Sequence, residues 1–466
     1  MMKKNLQILI YSCLIWFLIS TSHAVATVKT HIDSPPDGSA SPILASSPPT
    51  VSDEDRRREL AGRRANVAAK IGTGGVLVLF GAEPRIYSND VDYVYRQENN
   101  FFYLTGLNQE GSKLVLMPGE TAPFREILFL PRRNSRAETW TGKMYSPEDA
   151  RRISGIEEIW DTQEFDSFIQ ELRRNHSYRP AKEKILSISS VAGDRGPSNR
   201  DQGATTDSPL ITAAKAGHGD LYLLIPGQRE SREFRQEQQF AAQWTQTSTG
   251  FVVRTAVPVF SAMRMQKSDV ELKYLQYAID ITTEAISRAM AMTNHAQWEY
   301  QVQAEVEYTF RRRNADYWGY PSIVGCGANS TTLHYEEAQG KVTSGSVLLM
   351  DVGAEYNHYS ADVTRTFPVD NRFTPAQVDI YNAVYEAQEA AIQAIKSGIY
   401  LSDVHNIARD KIKESLFRLG LITDKNSDQY RIWFMHGTSH HLGMNVHDVG
   451  DAGRKLEAGM VFTVEP

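Results

Sequence analysis

Two aspartates interrupt apolar, strand-like stretches within residues 347–369, VLLMDVGAEYNHYSADVTRTFPV. Asp351 lies in VLLMDVG, and Asp362 lies eleven positions later in ADVTRTFPV. A carboxylate in a buried apolar strand costs free energy unless it is paired or bound to a metal. If the two strands pair as a hairpin, both carboxylates reach one site. The alternative, a turn or helix-cap role, fits either aspartate alone better than it fits both together.

A glutamate and a group of histidines add further side chains that can bind a metal. The segment GMVFTVEP (459–466) alternates in polarity, which predicts a strand that ends at Glu465. The stretch MHGTSHHLGMNVHDVG holds four of the chain's 12 histidines, namely His436, His440, His441 and His447. Carboxylates with one imidazole favour hard or borderline divalent ions such as Mn²⁺ over a thiolate-type zinc site. For each of these side chains alone, a solvent-facing or packing role is the alternative.

Length and charge restrict the class of protein. A chain of 466 residues is too long for one compact core, so we expect two domains. The formal net charge of −6 gives no reason to expect nucleic acid or an anionic membrane surface as a partner. No stretch after residue 20 is long and apolar enough to span a bilayer.

The first 26 residues have the pattern of a secretory signal peptide. Lys3 and Lys4 precede the 15-residue apolar run LQILIYSCLIWFLIS, and small residues follow near Ala24 and Ala26. An uncleaved membrane anchor is the alternative, although the apolar run is short for a span. Residues 27–52 are rich in Pro and Ser, which predicts a linker. We therefore expect an exported protein, either periplasmic or secreted.

Strand-like and helix-like segments alternate over residues 53–255, which predicts an α/β domain. Residues 76–80, VLVLF, predict a buried strand within it. The polar stretch 191–219 predicts a long loop or an insertion. From 256 to 466 the pattern changes to long amphipathic helices, the first over 267–292, and to glycine-punctuated strands. This second half predicts a separate α+β domain.

Four motifs, in this order along the chain, resemble the pita-bread metallopeptidases, and most closely the Xaa-Pro aminopeptidase (aminopeptidase P) family. They are GCGANSTTLHY, LLMDVGAEYNHYSADVTRTFPV, HGTSHHLGMNVHDVG and LEAGMVFTVEP. YRQENNFFYLTG in the first half and MRMQKSDVELKYL at the start of the second half are similar to the same family, so the resemblance spans roughly residues 53–466. It implies a creatinase/aminopeptidase P-like N-terminal α/β domain and a C-terminal pita-bread catalytic domain.

The resemblance implies a site for two divalent ions, of which Mn²⁺ best suits the donor set. Asp362 would bridge both ions, Asp351 and His440 would each bind one, and Glu465 would be a further ligand. The ions would activate a water molecule for amide hydrolysis. In the family another glutamate ligand follows the VEP motif, whereas this chain ends at Pro466. We therefore expect a catalytic domain that is truncated at its C-terminus.

The same motifs imply roles in substrate binding and catalysis. His334 and His447 would hydrogen-bond the scissile carbonyl or the tetrahedral intermediate. Tyr320 would lie beside the metals and contribute to substrate binding. His436 would handle a proton or position the leaving side of the substrate. The remaining histidines of these segments are expected to pack or to face solvent, namely His358 and His441.

These roles predict a metal-dependent exopeptidase that releases the N-terminal residue preceding proline, by attack of metal-activated water on proline-containing peptides. The bond before proline lacks an N–H, so it needs a dedicated site. One alternative is an Xaa-Pro dipeptidase (prolidase) on the same fold. Another is a catalytically impaired binding protein on that fold. The family also implies association into homo-oligomers.

Overall fold

The computed structural model describes residues 42–121, 124–187, 207–226, 233–247, 250–451 and 453–466. The predicted signal peptide (1–26), the first part of the predicted linker and residues 191–206 of the predicted loop lie outside these ranges. The chain divides into two compact units, Val51–Met263 and Arg264–Pro466, and residues 42–50 belong to the second. Among the described residues, no helix has the length and apolar character needed to cross a membrane.

The first unit contains a seven-stranded mixed sheet with helices packed on it. The strands of the whole unit are β1 (Gly75–Phe80), β2 (Ile86–Ser88), β3 (Val91–Asp92), β4 (Lys113–Leu116), β5 (Glu126–Leu130), β6 (Glu158–Asp161), β7 (Ile185–Ser187), β8 (Gly219–Leu223) and β9 (Phe251–Thr255). Its helices are α1 (Asp53–Ile71), α2 (Asn99–Thr105), α3 (Ser135–Thr141), α4 (Pro147–Ser154), α5 (Phe165–Arg173), α6 (Pro209–Lys215), α7 (Arg235–Thr247) and α8 (Val257–Arg264). The order β7-β6-β5-β4-β1-β8-β9, with β2 and β3 as a separate hairpin, confirms the predicted α/β class.

The centre of this sheet is buried as the sequence predicts. Every residue of β1 is buried, because the strand is β-branched and apolar on both faces. Aromatic rings cover the neighbouring strands: Phe129 lies edge-on to Trp160 and Phe165, with ring centroids 5.5 and 5.2 Å apart. Such pairs add about 0.5–1.5 kcal/mol beyond the burial of their surface.

The prediction of a loop over 191–219 is wrong in its described part, because α6 forms there. Ser208 caps the helix by accepting the Ile211 N–H at 3.2 Å, and Pro209 occupies the first turn. Both are helix-start signals. Leu210 and Ala214 are buried on one face of the helix. The polar residues upstream of Ser208 obscured this short amphipathic segment.

The second unit combines two small antiparallel sheets with four long helices. Its helices are α9 (Asp269–Met292), α10 (Glu299–Arg312), α11 (Pro375–Ala394) and α12 (Leu401–Arg418). Its strands are β10 (Tyr317–Trp318), β11 (Ile323–Cys326), β12 (Val347–Val352), β13 (Ala354–Tyr356), β14 (Tyr359–Ser360) and β15 (Val363–Pro368). The sheets have the orders β10-β13-β14 and β11-β12-β15. Buried side chains of α9, α10 and the second sheet form one core, which agrees with the predicted α+β class.

Helix α9 begins with a capping box at Ser268. The Ser268 hydroxyl accepts the Glu271 N–H at 3.3 Å, and the Glu271 carboxylate accepts the Ser268 N–H at 3.0 Å. Two backbone donors that the helix cannot satisfy internally are thereby paired.

Ser268→Ala is expected to lower the free energy of unfolding by about 1 kcal/mol, because the cap is lost while the core is unchanged. Urea denaturation measures this difference. Ser402→Ala is the matched control, since Ser402 is exposed in the first turn of α12 and its replacement should change stability by less than about 0.5 kcal/mol. Equal losses in the two variants would contradict a capping role.

The predicted strand over 459–466 is an extended segment instead of a regular strand. The N–H groups of Thr463 and Glu465 donate to the carbonyl oxygens of His440 and Thr438, at 3.0 and 2.9 Å. The His440 N–H donates to the Thr463 hydroxyl at 3.1 Å. Because that side chain takes the place of a backbone acceptor, the reciprocal bonds of a sheet ladder do not form.

Residues 42–50 of the predicted linker are held against α9 and do not form a solvated spacer. The Ile43 N–H donates to the Ser287 hydroxyl at 3.0 Å, and the Ala45 N–H donates to the Glu284 carboxylate at 2.7 Å. The Ala45 side chain packs against the core of the second unit. A Pro/Ser-rich composition alone did not reveal that α9 offers acceptors to this segment.

Candidate metal centre

Strands β12 and β15 place the two aspartates next to each other. The strands pair antiparallel, as predicted, with Asp351 opposite Thr364, and Asp362 immediately precedes β15. The Tyr320 hydroxyl lies 2.5 Å from Asp351 Oδ1 and 3.1 Å from Asp362 Oδ1. Both carboxylates therefore meet at one phenol.

His440 joins Asp362 to Glu465. Its Nε2 lies 3.2 Å from Asp362 Oδ2 and 2.9 Å from Glu465 Oε1. One ligand atom from each of the three residues lies within 4.8 Å of the others. His440 Nδ1 lies 3.1 Å from the His441 carbonyl oxygen. A proton on Nδ1 that donates to this carbonyl leaves Nε2 free to bind a metal, as is usual for ligating histidines.

Burial and like charges shift the ionisation of this site. Burial, followed by the negative charge of Asp362, raises the pKa of Asp351 to about 6. Burial and both aspartates raise the pKa of Tyr320 well above its ordinary value, so the phenol remains a donor. Burial lowers the pKa of His440, but its bonds to Asp362 and Glu465 outweigh burial and raise that pKa to about 10. Carboxylates crowded in this way favour a bound cation.

The donor set fits a divalent metal ion. Asp362, His440 and Glu465 could hold one ion directly, and Asp351 shares the Tyr320 hydroxyl with Asp362. The structure thus brings all four sequence-predicted ligands to one place. Oxygen donors with a single imidazole suit hard or borderline cations. The Glu465 carboxylate is oriented by the Thr463 hydroxyl at 2.9 Å.

One of the predicted substrate histidines, His447, lies beside these ligands. The His447 ring stands nearly perpendicular to the His440 ring, with centroids 4.3 Å apart. Burial, followed by the charge of His440 and more weakly that of His334, lowers the pKa of His447. The lowered pKa favours the neutral form of the His447 imidazole. His334 is exposed to solvent.

The third predicted catalytic histidine, His436, lies against other partners. Its Nδ1 is 2.9 Å from the Gly437 carbonyl oxygen, and its ring lies edge-on to Phe434, with centroids 5.3 Å apart. The structure does not bring it into contact with the four ligands. Phe434 also packs on His405 of α12, whose Nδ1 lies 3.0 Å from the Thr438 hydroxyl. Sequence reasoning missed His405, because a single histidine in an amphipathic helix carries no signal.

Sequence reasoning also missed a buried ion group behind His447. Asp448 Oδ1 lies 2.6 Å from Arg264 Nη2, and Asp448 Oδ2 lies 3.3 Å from Lys267 Nζ; all three side chains are at most 2% exposed. Burial raises the pKa of Asp448, but Arg264 and Lys267 outweigh burial and lower it. The ion pairs with Arg264 and Lys267 fix Asp448, the residue that follows His447, in the interior. The two expected packing histidines are also buried, namely His358 and His441.

Comparison with known proteins identifies the family. Residues 60–179 match the family described as Aminopeptidase P, N-terminal domain, and residues 273–466 match Metallopeptidase family M24. The Xaa-Pro aminopeptidase of Escherichia coli (strain K12) is 31% identical over 422 residues, which cover 89% of this chain and 87% of that protein. The chain belongs to metallopeptidase family M24. It carries the N-terminal domain of the aminopeptidases P.

Solved structures of this family agree with the fold. The Pseudomonas aeruginosa aminopeptidase PepP has a TM-score of 0.71 and 28% identity, covering 88% of this chain and 86% of that one. The Escherichia coli aminopeptidase P with the inhibitor Pro-Leu has a TM-score of 0.69, with the same identity and coverage. The predicted two-part architecture is thereby confirmed. As an M24 metallopeptidase the protein is a metal-dependent peptidase, and the side chains grouped around His440 could hold a divalent ion.

Proposed function

We propose that this chain is an Xaa-Pro aminopeptidase, which releases the N-terminal residue of a peptide whose second residue is proline. The name of the Escherichia coli relative supports this specificity. The observation that carries the proposal is the convergence of Asp362, His440 and Glu465 on one point, with Asp351 joined to Asp362 through the Tyr320 hydroxyl.

We assign different roles in amide hydrolysis to the side chains around the metal centre. When bound, divalent ions would activate water and polarise the substrate carbonyl. His447, whose pKa burial lowers, can donate an N–H to an oxygen that gains negative charge. We assign His334 to the same oxygen, because it is exposed to solvent and lies close enough to His447 for its charge to lower the pKa of that histidine. We assign His436 to substrate positioning at the margin, because its contacts are with Phe434 and Gly437.

We also propose Mn²⁺ as the preferred ion. Carboxylate oxygens predominate in the site, and one imidazole is the only nitrogen donor among the four assigned ligands, a set that suits Mn²⁺ better than a thiolate-seeking ion. Titration calorimetry with Mn²⁺, Zn²⁺ and Mg²⁺ ranks the three affinities directly.

Hydrolysis of Arg-Pro-Pro is expected to release arginine in the presence of Mn²⁺ and to stop when the metal is removed. Arg-Ala-Pro is the matched control, because its first peptide bond has an N–H, and it should be cleaved more slowly. An Arg-Pro dipeptide distinguishes the prolidase alternative. Preferential cleavage of the dipeptide, or no cleavage of any of the three at saturating Mn²⁺, would contradict the proposal.

We propose that the protein is exported through residues 1–26. The support is the sequence pattern alone: a basic start, an apolar run and small residues near Ala24 and Ala26. N-terminal sequencing of the protein recovered from a secretion-competent host would locate the cleavage. Recovery of the intact N-terminus in a membrane fraction would favour the anchor instead.

A further inference from the structure

Glu299, the first residue of α10, is a fully buried carboxylate outside the metal centre. It lies under the segment of residues 326–340, which we call the His334 loop because it carries that histidine. The loop leaves β11 at Cys326 and returns to the start of α10 at Gly340. None of the roles described above uses Glu299.

The two carboxylate oxygens of Glu299 accept hydrogen bonds from opposite ends of the His334 loop. Oε1 accepts the Cys326 N–H at 2.7 Å and the Asn329 amide at 3.0 Å. Oε2 accepts the Gly340 N–H at 2.7 Å and the Tyr335 hydroxyl at 2.8 Å. Four donors from one loop thus converge on one side chain. Since every one of them is neutral, the buried charge is stabilised by hydrogen bonds, which are stronger to an ionised acceptor than to a neutral one.

The loop is shaped to fit this carboxylate. The Glu299 N–H donates to the Gly340 carbonyl oxygen at 2.9 Å, and the Gly340 N–H donates to the Glu299 carboxylate. The two residues are therefore joined by a backbone hydrogen bond and by a side-chain hydrogen bond. A Cβ atom at Gly340 would lie 2.7 Å from both carboxylate oxygens and 2.3 Å from the Asn329 amide. Only glycine brings the backbone so close. The loop therefore has one closed arrangement that depends on Glu299.

Closure of the loop acts on His334 through its neighbour. Tyr335 is buried, and its hydroxyl is fixed by Glu299 and by the Asn329 amide at 2.9 Å. His334 precedes Tyr335 and is exposed, so its own side chain has little packing to hold it. The backbone position of His334 is set by the buried tyrosine beside it.

We infer that Glu299 is a positioning residue that holds His334 towards the substrate by closing the His334 loop. The inference rests on the proposed function, because it assigns the held histidine to substrate binding. Displacement of a group that contacts the reacting atoms by 1 Å can cost about 100-fold in rate. Glu299 would thus act on hydrolysis without touching the metal or the peptide.

The test is a double-mutant cycle between Glu299→Gln and His334→Ala, measured as kcat/KM for Arg-Pro-Pro with saturating Mn²⁺. The glutamine keeps the shape but turns an N–H₂ group towards donors, so the loop should loosen. We expect Glu299→Gln to lower kcat/KM by about 10–100-fold in the native background and by less than about 2-fold when His334 is already alanine. A merely structural role gives equal losses in both backgrounds and would overturn the inference.

Two further variants keep the test decisive. Tyr335→Phe removes one of the four bonds without altering the charge, and it should show the same dependence on His334 if Glu299→Gln fails to fold. Glu305→Gln, at a half-buried position on the same helix, should leave kcat/KM unchanged. Mn²⁺ affinity should be the same in all variants, because the carboxylates around His440 are untouched.

The outcome is separable from that of the proposed function. If the native protein binds Arg-Pro-Pro without cleaving it, the proposed activity fails, and the same cycle is read from the dissociation constant of the peptide. Amide hydrogen exchange gives a second readout: Glu299→Gln should speed exchange at Cys326 and Gly340 and leave β12 unchanged. Unchanged exchange in the loop, or a native protein that neither binds nor cleaves the peptide, would overturn the inference.

Discussion

Replacement of Asp448 by alanine is expected to lower the free energy of unfolding by about 3–5 kcal/mol. The substitution leaves Arg264 and Lys267 in the interior without the carboxylate that both contact, at 2.6 and 3.3 Å. A buried charge that loses its partner is costly even where the intact pair adds little. Lys267 can shed its proton, since burial lowers its pKa, whereas an arginine keeps its charge. Urea denaturation of the two proteins at pH 7 measures the difference.

Two controls separate the buried charge from the loss of a side chain. Asp379→Ala, at an exposed position on α11, should change stability by less than about 0.5 kcal/mol. Asp448→Asn retains the shape and an oxygen acceptor, so it should fall between the native protein and Asp448→Ala. If Asp448→Ala proves no less stable than Asp379→Ala, the ion group makes no contribution to holding this part of the fold.

Elements with local signals were predictable from the sequence. The apolar run at 76–80 became β1, and the long amphipathic segment at 267–292 became α9, which begins where Ser268 and Glu271 form a capping box. In each case the residues that decide the structure are neighbours along the chain. Periodicity and caps are properties of short windows, so one sequence suffices to read them.

Elements that depend on distant partners were not predictable. The Asp448 carboxylate bonds to residues 184 and 181 positions away, and no pattern in MRMQKSD or VHDVG marks the pairing. The segment 459–466 has the alternation of a strand, but the Thr463 hydroxyl takes the N–H that a ladder would use. In residues 42–50, the acceptors on Glu284 and Ser287 override a linker-like composition.

The metal centre was predictable from the sequence only in part. Asp351 and Asp362 stood out because a carboxylate in an apolar strand demands a partner, and the hairpin register then fixed their proximity. Glu465 and His440 were predictable as residue types, but their meeting relies on the pairing of two extended segments. The roles of Glu299 and His405 left no trace, because a buried hydrogen-bond acceptor and a helix histidine are commonplace in sequences.

Asp362→Asn is expected to weaken Mn²⁺ binding by about 100-fold or more, since even the loss of a residue that merely supports a ligand costs about 10–100-fold. Asp362 links Tyr320 to His440: one of its carboxylate oxygens lies 3.1 Å from the Tyr320 hydroxyl, and the other lies 3.2 Å from His440 Nε2. Asparagine keeps the size of the side chain but removes its charge and one oxygen. Hydrolysis of Arg-Pro-Pro should fall with occupancy of the metal site. Titration calorimetry measures the affinity, and a discontinuous assay of released arginine measures the rate.

Stability distinguishes loss of metal from loss of fold. In the metal-free protein, Asp362→Asn removes one of the negative charges crowded at Tyr320, a repulsion that raises the pKa of Asp351. The substitution also weakens the bond between Asp362 and His440, which acts in the opposite direction. The metal-free variant should therefore unfold at a urea concentration close to that of the metal-free native protein, while the stabilisation that added Mn²⁺ gives the native protein should disappear. Asp370→Asn is the matched control, because Asp370 lies just beyond β15 on the surface and should leave Mn²⁺ affinity unchanged. If Asp362→Asn bound Mn²⁺ as tightly as Asp370→Asn, the ions would bind elsewhere, and the hydrolytic role assigned to the side chains around His440 would have to be abandoned.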